Sequence, residues 1–140
     1  MNYFPAFLNL KGKPCLLVGG GSVASRKADM LLTAGARLTI VAPEICPKLT
    51  RQIVSGQIIH RVGRFKSSDV NGYWLVVNAS DDPECALQVF EAANKAGIFC
   101  NSVDDKAHCS FVTPAIIDRN PIVVAVSSGG TAPLLVRKIR

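Results

Sequence analysis

Residues 13–35 read K-P-C-L-L-V-G-G-G-S-V-A-S-R-K-A-D-M-L-L-T-A-G, and this stretch decides the fold. The apolar run from Cys15 to Val18 has the composition of a buried strand, and three glycines follow it directly. After the glycines, residues recur at helical spacing at four positions: Val23, Lys27, Met30 and Ala34. The stretch therefore predicts a strand, a tight turn and a helix.

The turn contains a pattern of small residues that is typical of dinucleotide binding. Gly19, Gly21 and Ala24 stand in the register G-x-G-x-x-A, which permits the turn, brings backbone close to a pyrophosphate and lets the helix pack on the strand. The N–H groups at the start of the helix would face the phosphates. Glycine-rich turns also occur where nothing binds, but the preceding strand and the following helix favour dinucleotide binding here.

Two cations lie close to this predicted anion site. Arg26 and Lys27 fall in the first turns of the helix, where an exposed cation opposes the helix dipole at a cost of about 0.3–1 kcal/mol. A solvated helix face would explain one such residue. Two adjacent cations indicate a second anionic ligand instead.

The composition limits the class of protein and its partners. A chain of 140 residues with 49% hydrophobic and 19% charged residues predicts one globular domain. No apolar run approaches the ~20 residues that span a bilayer and no leader pattern is found, so we expect a cytoplasmic protein without a membrane partner. The net charge of +6 favours an anionic partner. Because the basic residues are scattered and no recognition motif for nucleic acid is found, an anionic small molecule fits better.

The five cysteines do not form a recognisable framework. Their number is odd and they contain no C-x-x-C pair, which argues against disulfides and against a closed zinc site. We expect reduced, mostly buried thiols. His108 and Cys109 are adjacent, but no fourth ligand accompanies them, so no metal site is predicted.

The second predicted strand, Arg37–Ala42, ends at Pro43 and Glu44. Dinucleotide folds usually place an acid at the end of this strand, where it holds the adenosine ribose. Here the acid is displaced, so Glu44 could instead begin the following helix, which is expected over residues 44–55. Because no arginine follows the strand and Glu44 would repel a 2′-phosphate, the sequence favours NAD over NADP.

Three more strands complete the predicted parallel sheet. They cover Gln57–Val62, Tyr73–Ala79 and Ile98–Val103. The helix before the last of them begins at Ser80–Glu84, where acids flank Pro83. Asp104 and Asp105 follow the fifth strand. Because ligands of open parallel sheets bind at the carboxyl ends of the strands, we expect these acids on the same side as the glycine turn.

The C-terminal part predicts a hairpin and then a helix. Two apolar runs, Phe111–Ile117 and Pro121–Val126, are joined by turn residues. Residues 127–131 then offer hydroxyl and N–H groups at a second helix N-terminus, although a simple N-cap explains Ser127 and Ser128 equally well.

Five segments give the chain its resemblance to a known family. They are V-G-G-G-S-V-A-S-R-K at 18–27, V-A-P-E at 41–44, N-A-S-D-D at 78–82, C-N-S-V-D at 100–104 and residues 110–133. Together they resemble the N-terminal module of siroheme synthases, which is precorrin-2 dehydrogenase with, in many members, sirohydrochlorin ferrochelatase activity. The resemblance covers nearly all of the 140 residues.

The resemblance implies a fold and an activity. The fold is Rossmann-type α/β, a mainly parallel sheet with helices on both faces in residues 1–112, followed in residues 113–140 by a β-hairpin, a final helix and the start of a dimerisation region. The activity is NAD-dependent oxidation of precorrin-2 to sirohydrochlorin, with insertion of ferrous iron to give siroheme. Members of the family carry a further C-terminal segment that completes a homodimer, so we expect the natural polypeptide to continue beyond Arg140.

The motifs and the resemblance together assign candidate roles to single residues. Asp104 falls on the family's catalytic aspartate and could also serve iron insertion, although a turn or capping acid is the plain alternative. The candidates for cofactor binding are Gly19, Gly21, Ser22, Val23, Pro43, Glu44, Ser80, Asp81 and Ser102. The candidates for tetrapyrrole binding are Arg26, Lys27, Ser127, Ser128, Gly129 and Thr131. A rival interpretation is a non-enzymatic NAD-sensing module, which needs neither Asp104 nor the S-S-G-G loop.

Overall fold

The computed structural model describes residues 1–129 and 136–138 of the chain. It divides the chain into two compact units, one formed by Leu8–Ser110 and the other by Met1–Phe7 together with Phe111–Arg140. The sequence placed residues 1–112 in one core, so the position of the N-terminal segment differs from that prediction. Its Tyr3 ring lies against Gly129, where an added Cβ would come within 3.3 Å.

A parallel sheet of five strands forms the centre of the larger unit. The strands are β1 (Pro14–Val18), β2 (Arg37–Ala42), β3 (Ile58–Val62), β4 (Leu75–Asn78) and β5 (Phe99–Ser102). Their order across the sheet is β3-β2-β1-β4-β5, and each adjacent pair is parallel. The central strands β1 and β4 are almost entirely buried, as their continuous apolar runs predict.

Helices cover both faces of this sheet. They are α1 (Ser22–Thr33), α2 (Pro47–Val54) and α3 (Pro83–Ala96). The crossovers through α1 and α2 step from β1 toward β3, whereas the crossover through α3 steps from β4 to β5 in the opposite direction. Because parallel crossovers are right-handed, α3 lies on the opposite face from α1 and α2. The predicted Rossmann-type arrangement is confirmed.

An apolar cluster holds α3 on the sheet. Its buried members are Leu16, Val18, Val41, Val70, Val76, Val89, Ala93 and Cys100. Val70 belongs to a short 3-10 turn, Ser67–Val70, within the long connection from β3 to β4. Each fully buried Leu or Val side chain contributes about 1.5–3 kcal/mol, so the cluster fixes both this connection and α3.

One boundary of the predicted helices was wrong. The residues of α1 that are buried are Ala24, Ser25, Ala28 and Leu31. Met30, one of the residues at helical spacing, is 40% exposed. The helix α2 begins at Pro47 rather than at Glu44, since residues 43–46 form a bend that packs on Gly20.

The smaller unit contains an antiparallel hairpin, as predicted. β6 (Ala115–Arg119) pairs with β7 (Ile122–Val126). Residues 136–138 are helical, whereas the predicted helix start near Thr131 lies outside the described residues. Within the described part of the chain, no helix has the length and apolar character needed to cross a membrane.

Candidate active site

The carboxyl ends of four strands meet at one edge of the sheet. Val18, at the end of β1, is in register with Val41 of β2 and Asn78 of β4. Asn78 is in turn in register with Ser102 of β5. The strand order reverses between β1 and β4, and such a reversal opens the crevice in which α/β sheets bind ligands. The loops after these strands therefore define the candidate site.

The first glycine of the turn is required by a close backbone contact. Gly19 has φ +117°, and its Cβ position lies 2.9 Å from the carbonyl carbon of Ala79. A side chain at this position would collide with the chain as it leaves β4. Gly19 therefore allows the ends of β1 and β4 to approach each other at the point where the strand order reverses.

Gly20 is equally constrained, although the motif leaves its position free. An added Cβ would lie 1.9 Å from the carbonyl oxygen of Glu44. The backbone N–H of Cys46 donates a hydrogen bond to the Gly20 carbonyl oxygen at 2.8 Å. The loop after β2 thus packs on the turn after β1. Gly20 was not among the predicted site residues, and the signal for it was the run of three glycines.

Gly21 leaves the N-terminus of α1 open. It is the N-cap residue, with extended backbone, and it provides no side-chain cap for the helix. Apart from Gly21 itself and its two chain neighbours, no atom of the described residues lies within 4 Å of its Cβ position. Ser22, which is exposed, and Val23, which is half-buried, begin the helix beside this space. The geometry fits a pyrophosphate that is held by backbone N–H groups.

A cavity of about 450 Å³ lies beside the glycine turn. Its volume falls within the ~300–1,000 Å³ that is usual for small-molecule sites. Among the predicted cofactor residues, Gly19, Pro43 and Ser80 line it, whereas Glu44 and Asp81 do not. Lining residues that the sequence analysis did not propose include Gly63, Arg64, Phe65, Asp82, Glu84 and Gln88.

Arg64 brings a cation to this cavity from the loop after β3. Arg61 holds the loop, because its Nη2 donates to the Arg64 carbonyl oxygen at 2.8 Å and also pairs with the Asp69 carboxylate. Asp69 in turn accepts a hydrogen bond from the Lys66 backbone N–H at 2.7 Å. The sequence predicts no arginine directly after β2. Arg64 was not predicted for the site, because β3 becomes the neighbour of β2 only in the folded sheet.

A buried polar network joins the ends of β4 and β5. The Asn78 side chain accepts hydrogen bonds from the Ser80 N–H at 3.1 Å and from the Ser80 hydroxyl at 2.8 Å. Its Nδ2 donates to the Ser102 hydroxyl at 3.4 Å. Ser80 and Ser102, two of the predicted cofactor residues, are therefore held by Asn78, which appeared in the sequence only as part of the N-A-S-D-D segment. Its signal was a polar residue at the end of an apolar run.

Asp104 lies in a strained turn after β5. The Asp105 N–H donates to the Ser102 carbonyl oxygen at 3.2 Å, which closes a four-residue turn with Asp104 at its third position. Asp104 has φ 58°, and it is the one non-glycine residue with positive φ in the described ranges 1–129 and 136–138. This conformation costs a non-glycine residue on the order of 1–3 kcal/mol, although Asp tolerates it better than most. Strain at an exposed carboxylate beside a crevice is typical of a functional residue.

The segment after this turn folds back on the end of β5. The Cys109 Sγ lies 3.2 Å from the backbone N of Ser102 and 3.2 Å from the carbonyl oxygens of Ser102 and Asp105. His108 Nδ1 pairs with the Asp105 carboxylate at 2.5 Å, and its ring packs edge-on against Phe90. Burial raises the pKa of the Cys109 thiol. In the described part of the chain, no group of three or more His, Cys, Asp and Glu side chains could hold a metal ion.

The two cations of α1 have different surroundings. Arg26 is exposed, whereas Lys27 is half-buried. Burial, followed by the charge of Arg26, lowers the pKa of Lys27, and the charges of Asp104 and Cys109 act in the opposite direction. Lys27 is therefore coupled electrostatically to the Asp104 turn. The role of this pair in binding an anionic ligand stays a prediction.

The C-terminal candidates lie in the smaller unit. The Ser127 hydroxyl accepts a hydrogen bond from the Gly129 N–H at 3.1 Å, which is a local capping contact. Thr131 lies outside the described residues. A role in tetrapyrrole binding for Ser127, Ser128 and Gly129 stays a prediction.

Residues 6–115 match a family model described as "Putative NAD(P)-binding". The chain belongs to this family. The match includes the glycine turn, the cavity and the Asp104 turn. The cofactor class predicted from the G-x-G-x-x-A register is thereby confirmed.

Curated relatives match the chain along its whole length. A siroheme synthase of Photorhabdus laumondii subsp. laumondii is 50% identical over 140 residues, and siroheme synthase 3 of Aeromonas hydrophila subsp. hydrophila is 51% identical. Each match covers 100% of this chain and 30% of the relative, so the chain spans less than a third of these proteins. The resemblance to siroheme synthases is confirmed.

Solved structures support the same conclusion for the fold. A structure titled "SirC, precorrin-2 dehydrogenase" matches with a TM-score of 0.86 and 27% identity, covering 98% of this chain and 67% of that one. Apo D-lactate dehydrogenase from Escherichia coli matches with a TM-score of 0.53 and 14% identity over 68% of this chain. The second likeness shows a shared fold alone.

Proposed function

We propose that this chain binds NAD and oxidises precorrin-2 to sirohydrochlorin. The observation that carries the proposal is the carboxyl edge of the sheet, where the open N-terminus of α1 follows β1 and the exposed carboxylate of Asp104 follows β5. The identity to siroheme synthases and the likeness to a precorrin-2 dehydrogenase support it. Because the chain spans 30% of these synthases, the proposal assigns this step to this portion of them.

Two neighbouring places in the structure would hold the pyrophosphate and the adenosine of the dinucleotide. The backbone N–H groups at the start of α1 would hold the pyrophosphate. The adjoining cavity would hold the adenosine, since it shares Gly19 with the turn. Asp82 and Glu84 line this cavity against one cation, Arg64, and this excess of negative charge favours NAD over a cofactor with an added 2′-phosphate.

Asp104 is the proposed base of the reaction. Dehydrogenation removes a hydride and a proton from the substrate, and NAD, when bound, supplies the acceptor for the hydride. A carboxylate within hydrogen-bond reach of the substrate takes the proton. The turn from Ser102 to Asp105 fixes the backbone of Asp104 at the edge of the crevice, and its side chain is exposed and so accessible to a ligand.

The substrate class agrees with the charge of the chain. Precorrin-2 is a polycarboxylate, and the chain has a net charge of +6. Arg26 is exposed within two turns of the α1 N-terminus and could pair with a substrate carboxylate there. On the resemblance, Ser127, Ser128, Gly129 and Thr131 are also proposed to contact the tetrapyrrole.

Iron insertion is a separate part of the proposal. The pyrrole nitrogens must lose protons as ferrous iron enters, so the Asp104 carboxylate could act as the base in this step too. Ferrous iron is a substrate here and needs no resident metal site. The test is to supply sirohydrochlorin and ferrous iron without NAD and to follow the absorption of siroheme. A spectrum that stays that of sirohydrochlorin would restrict the chain to dehydrogenation.

We also infer that the protein forms homodimers and acts in the cytoplasm. The hairpin supports the first inference, because residues 113–140 coincide with the expected start of a dimerisation region and β7 is largely exposed in the single chain. The second rests on the sequence and stays a prediction.

The dehydrogenase proposal is tested by adding precorrin-2 and NAD to the chain under anaerobic conditions. We expect the sirohydrochlorin spectrum to appear together with reduced cofactor, and an Asp104→Asn variant to lose this activity. Isothermal calorimetry with NAD provides the control. A chain that binds NAD and leaves precorrin-2 unchanged would support the non-enzymatic sensing module instead.

A further inference from the structure

We propose that Arg61 and Asp69 form a clamp that positions one wall of the cofactor cavity, so that the affinity for the adenosine part of NAD depends on this ion pair. Neither residue is part of the cavity lining. The inference rests on the proposed placement of the adenosine. It gives a role in cofactor binding to two residues outside the predicted set of cofactor contacts.

The wall that the clamp positions is the loop after β3, residues 63–66. Gly63, Arg64 and Phe65 line the cavity in succession, although the loop has no regular secondary structure. The Gly63 N–H donates a hydrogen bond to the Ala42 carbonyl oxygen at 3.2 Å, which fastens the beginning of the loop to the end of β2. The rest of the loop lies beyond the strand pairing and needs another restraint.

The clamp supplies this restraint through two backbone groups of the loop. Arg61 Nη2 donates to the Arg64 carbonyl oxygen at 2.8 Å and pairs with the Asp69 carboxylate. The same carboxylate oxygen accepts a hydrogen bond from the Lys66 N–H at 2.7 Å. Hydrogen bonds to charged groups are about twice as strong as neutral ones. The ion pair therefore fixes the loop at Arg64 and again at Lys66.

Both members of the clamp are anchored in the fold. Arg61 belongs to β3, where it is in register with Val41 of β2. Asp69 lies in the 3-10 turn, and its N–H donates to the Lys66 carbonyl oxygen at 2.8 Å. The next residue, Val70, is 2% exposed in the apolar cluster beneath α3. The clamp thus sets the position of the loop relative to the edge of the sheet.

The cost of burying these charges favours a positioning role over a purely stabilising one. The Arg61 side chain is 34% exposed and that of Asp69 is 10% exposed. Removing such charges from water offsets most of their attraction, so an apolar pair would stabilise the fold as well. An apolar pair could not bind the Arg64 carbonyl oxygen and the Lys66 N–H. The ion pair is therefore explained by the loop conformation that it imposes.

The first experiment measures the NAD affinities of Arg61→Met and Asp69→Ala by isothermal calorimetry. Each change opens the clamp, and a loop that then adopts its binding conformation one-tenth of the time raises the Kd about tenfold. At saturating NAD, kcat should stay within about twofold of the wild type, because only binding is affected. Lys48→Met is the matched control. It breaks the exposed pair with Asp29 outside the cavity and should bind NAD like the wild type.

The double variant decides whether the two residues act as one clamp. Arg61→Met combined with Asp69→Ala should raise the Kd about tenfold, as each single change does, because both remove the same restraint. A Kd about a hundredfold above that of the wild type would show independent effects and overturn the proposal. If Arg61→Met does not fold, Arg61→Lys takes its place. Lysine keeps the charge and loses the planar guanidinium, so the Kd should rise about threefold or more, and a wild-type Kd would contradict the clamp.

ADP-ribose, which lacks the nicotinamide, separates this inference from the proposed function. We expect its Kd to rise by the same factor as that of NAD, because the clamp acts on the wall of the adenosine site. If the wild type leaves precorrin-2 unchanged but this rise is seen, the clamp stands and the reaction assignment fails. Variants that melt at a lower temperature and keep the wild-type Kd for both ligands would reduce the clamp to a structural contact and overturn the proposal, whatever the activity.

Discussion

The Cβ position of Gly20 lies 1.9 Å from the carbonyl oxygen of Glu44, so the loops after β1 and β2 meet backbone to backbone. The next residue, Gly21, has no described atom within 4 Å of its Cβ position other than its own and those of its chain neighbours. Two adjacent glycines therefore have different roles. Gly20 permits the packing of the sheet edge, and Gly21 leaves space in front of α1. Substitutions at the two positions should separate stability from ligand binding.

Gly21→Leu should keep the fold and weaken NAD binding at least tenfold, which corresponds to about 1.4 kcal/mol. Its backbone is extended, so a side chain is tolerated there, but that side chain would occupy the proposed pyrophosphate site. Calorimetry with NAD and thermal melting provide the measurements. Gly20→Ala is the matched control, and it should lower the free energy of unfolding by about 1–3 kcal/mol through overpacking. A folded Gly21→Leu chain with wild-type NAD affinity would place the site elsewhere.

Asp104→Asn should reduce dehydrogenation by about 10²–10⁴-fold and leave NAD affinity near that of the wild type, because the role proposed for the carboxylate is chemical. Stability should change by less than about 0.5 kcal/mol, since Asn adopts positive φ as readily as Asp. Asp104→Val, in contrast, should destabilise the chain by about 1–2 kcal/mol. Turnover by Asp104→Asn at the wild-type rate would reduce Asp104 to a turn residue.

Arg64→Ala should weaken NAD binding by about 0.5–1 kcal/mol, the range for an exposed cation that stacks on an aromatic ring such as adenine. The loop would keep its shape, because Arg61 binds the carbonyl oxygen of Arg64 and not its side chain. Arg51→Ala, at the last turn of α2 and outside the cavity lining, is the control. Equal NAD affinities for the two variants would remove Arg64 from the site.

Stability should fall in alkaline solution through two buried thiols. Burial raises the pKa of Cys15 to about 11 and that of Cys100 to about 12, from an ordinary 9.0. Below pH 9 both thiols are protonated in the folded and the unfolded chain. Above it the unfolded chain loses these protons first, so unfolding becomes easier by up to about 1.4 kcal/mol per pH unit for each thiol.

The corresponding measurement is denaturant unfolding between pH 8 and about 11. A Cys15→Ala/Cys100→Ala variant lacks both groups, so its stability should decline less steeply than that of the wild type. Parallel pH profiles for the two proteins would show that these thiols do not control alkaline stability.

The hairpin should make the chain associate weakly. Ile122 is 66% exposed and Val124 is 43% exposed in the single chain, and a two-stranded hairpin is marginally stable by itself. Light scattering over a range of concentrations should show a mass that rises with concentration. Ile122→Lys should abolish the rise, and Lys95→Met should not. A tight dimer of the wild-type chain would contradict the expectation of weak association.

The sequence by itself determined the order and type of the main elements. The strand, turn and helix of residues 13–35 were predictable because small residues and helical spacing are local properties. The same holds for the start of α3, where the Asp82 side chain accepts a hydrogen bond from the Glu84 N–H at 3.0 Å. Asp104 could be placed at the carboxyl edge because it directly follows an apolar strand.

Only the tertiary structure decided which distant residues meet these elements. Gly20 is constrained by Glu44, and Arg64 lines the cavity from the loop after β3. The start of α2 also differed from its prediction, since the bend before it packs on the glycine turn. Each of these outcomes depends on a contact between residues far apart in the chain. Spacing and composition describe neighbours along the sequence, whereas strand order and helix packing determine neighbours in space.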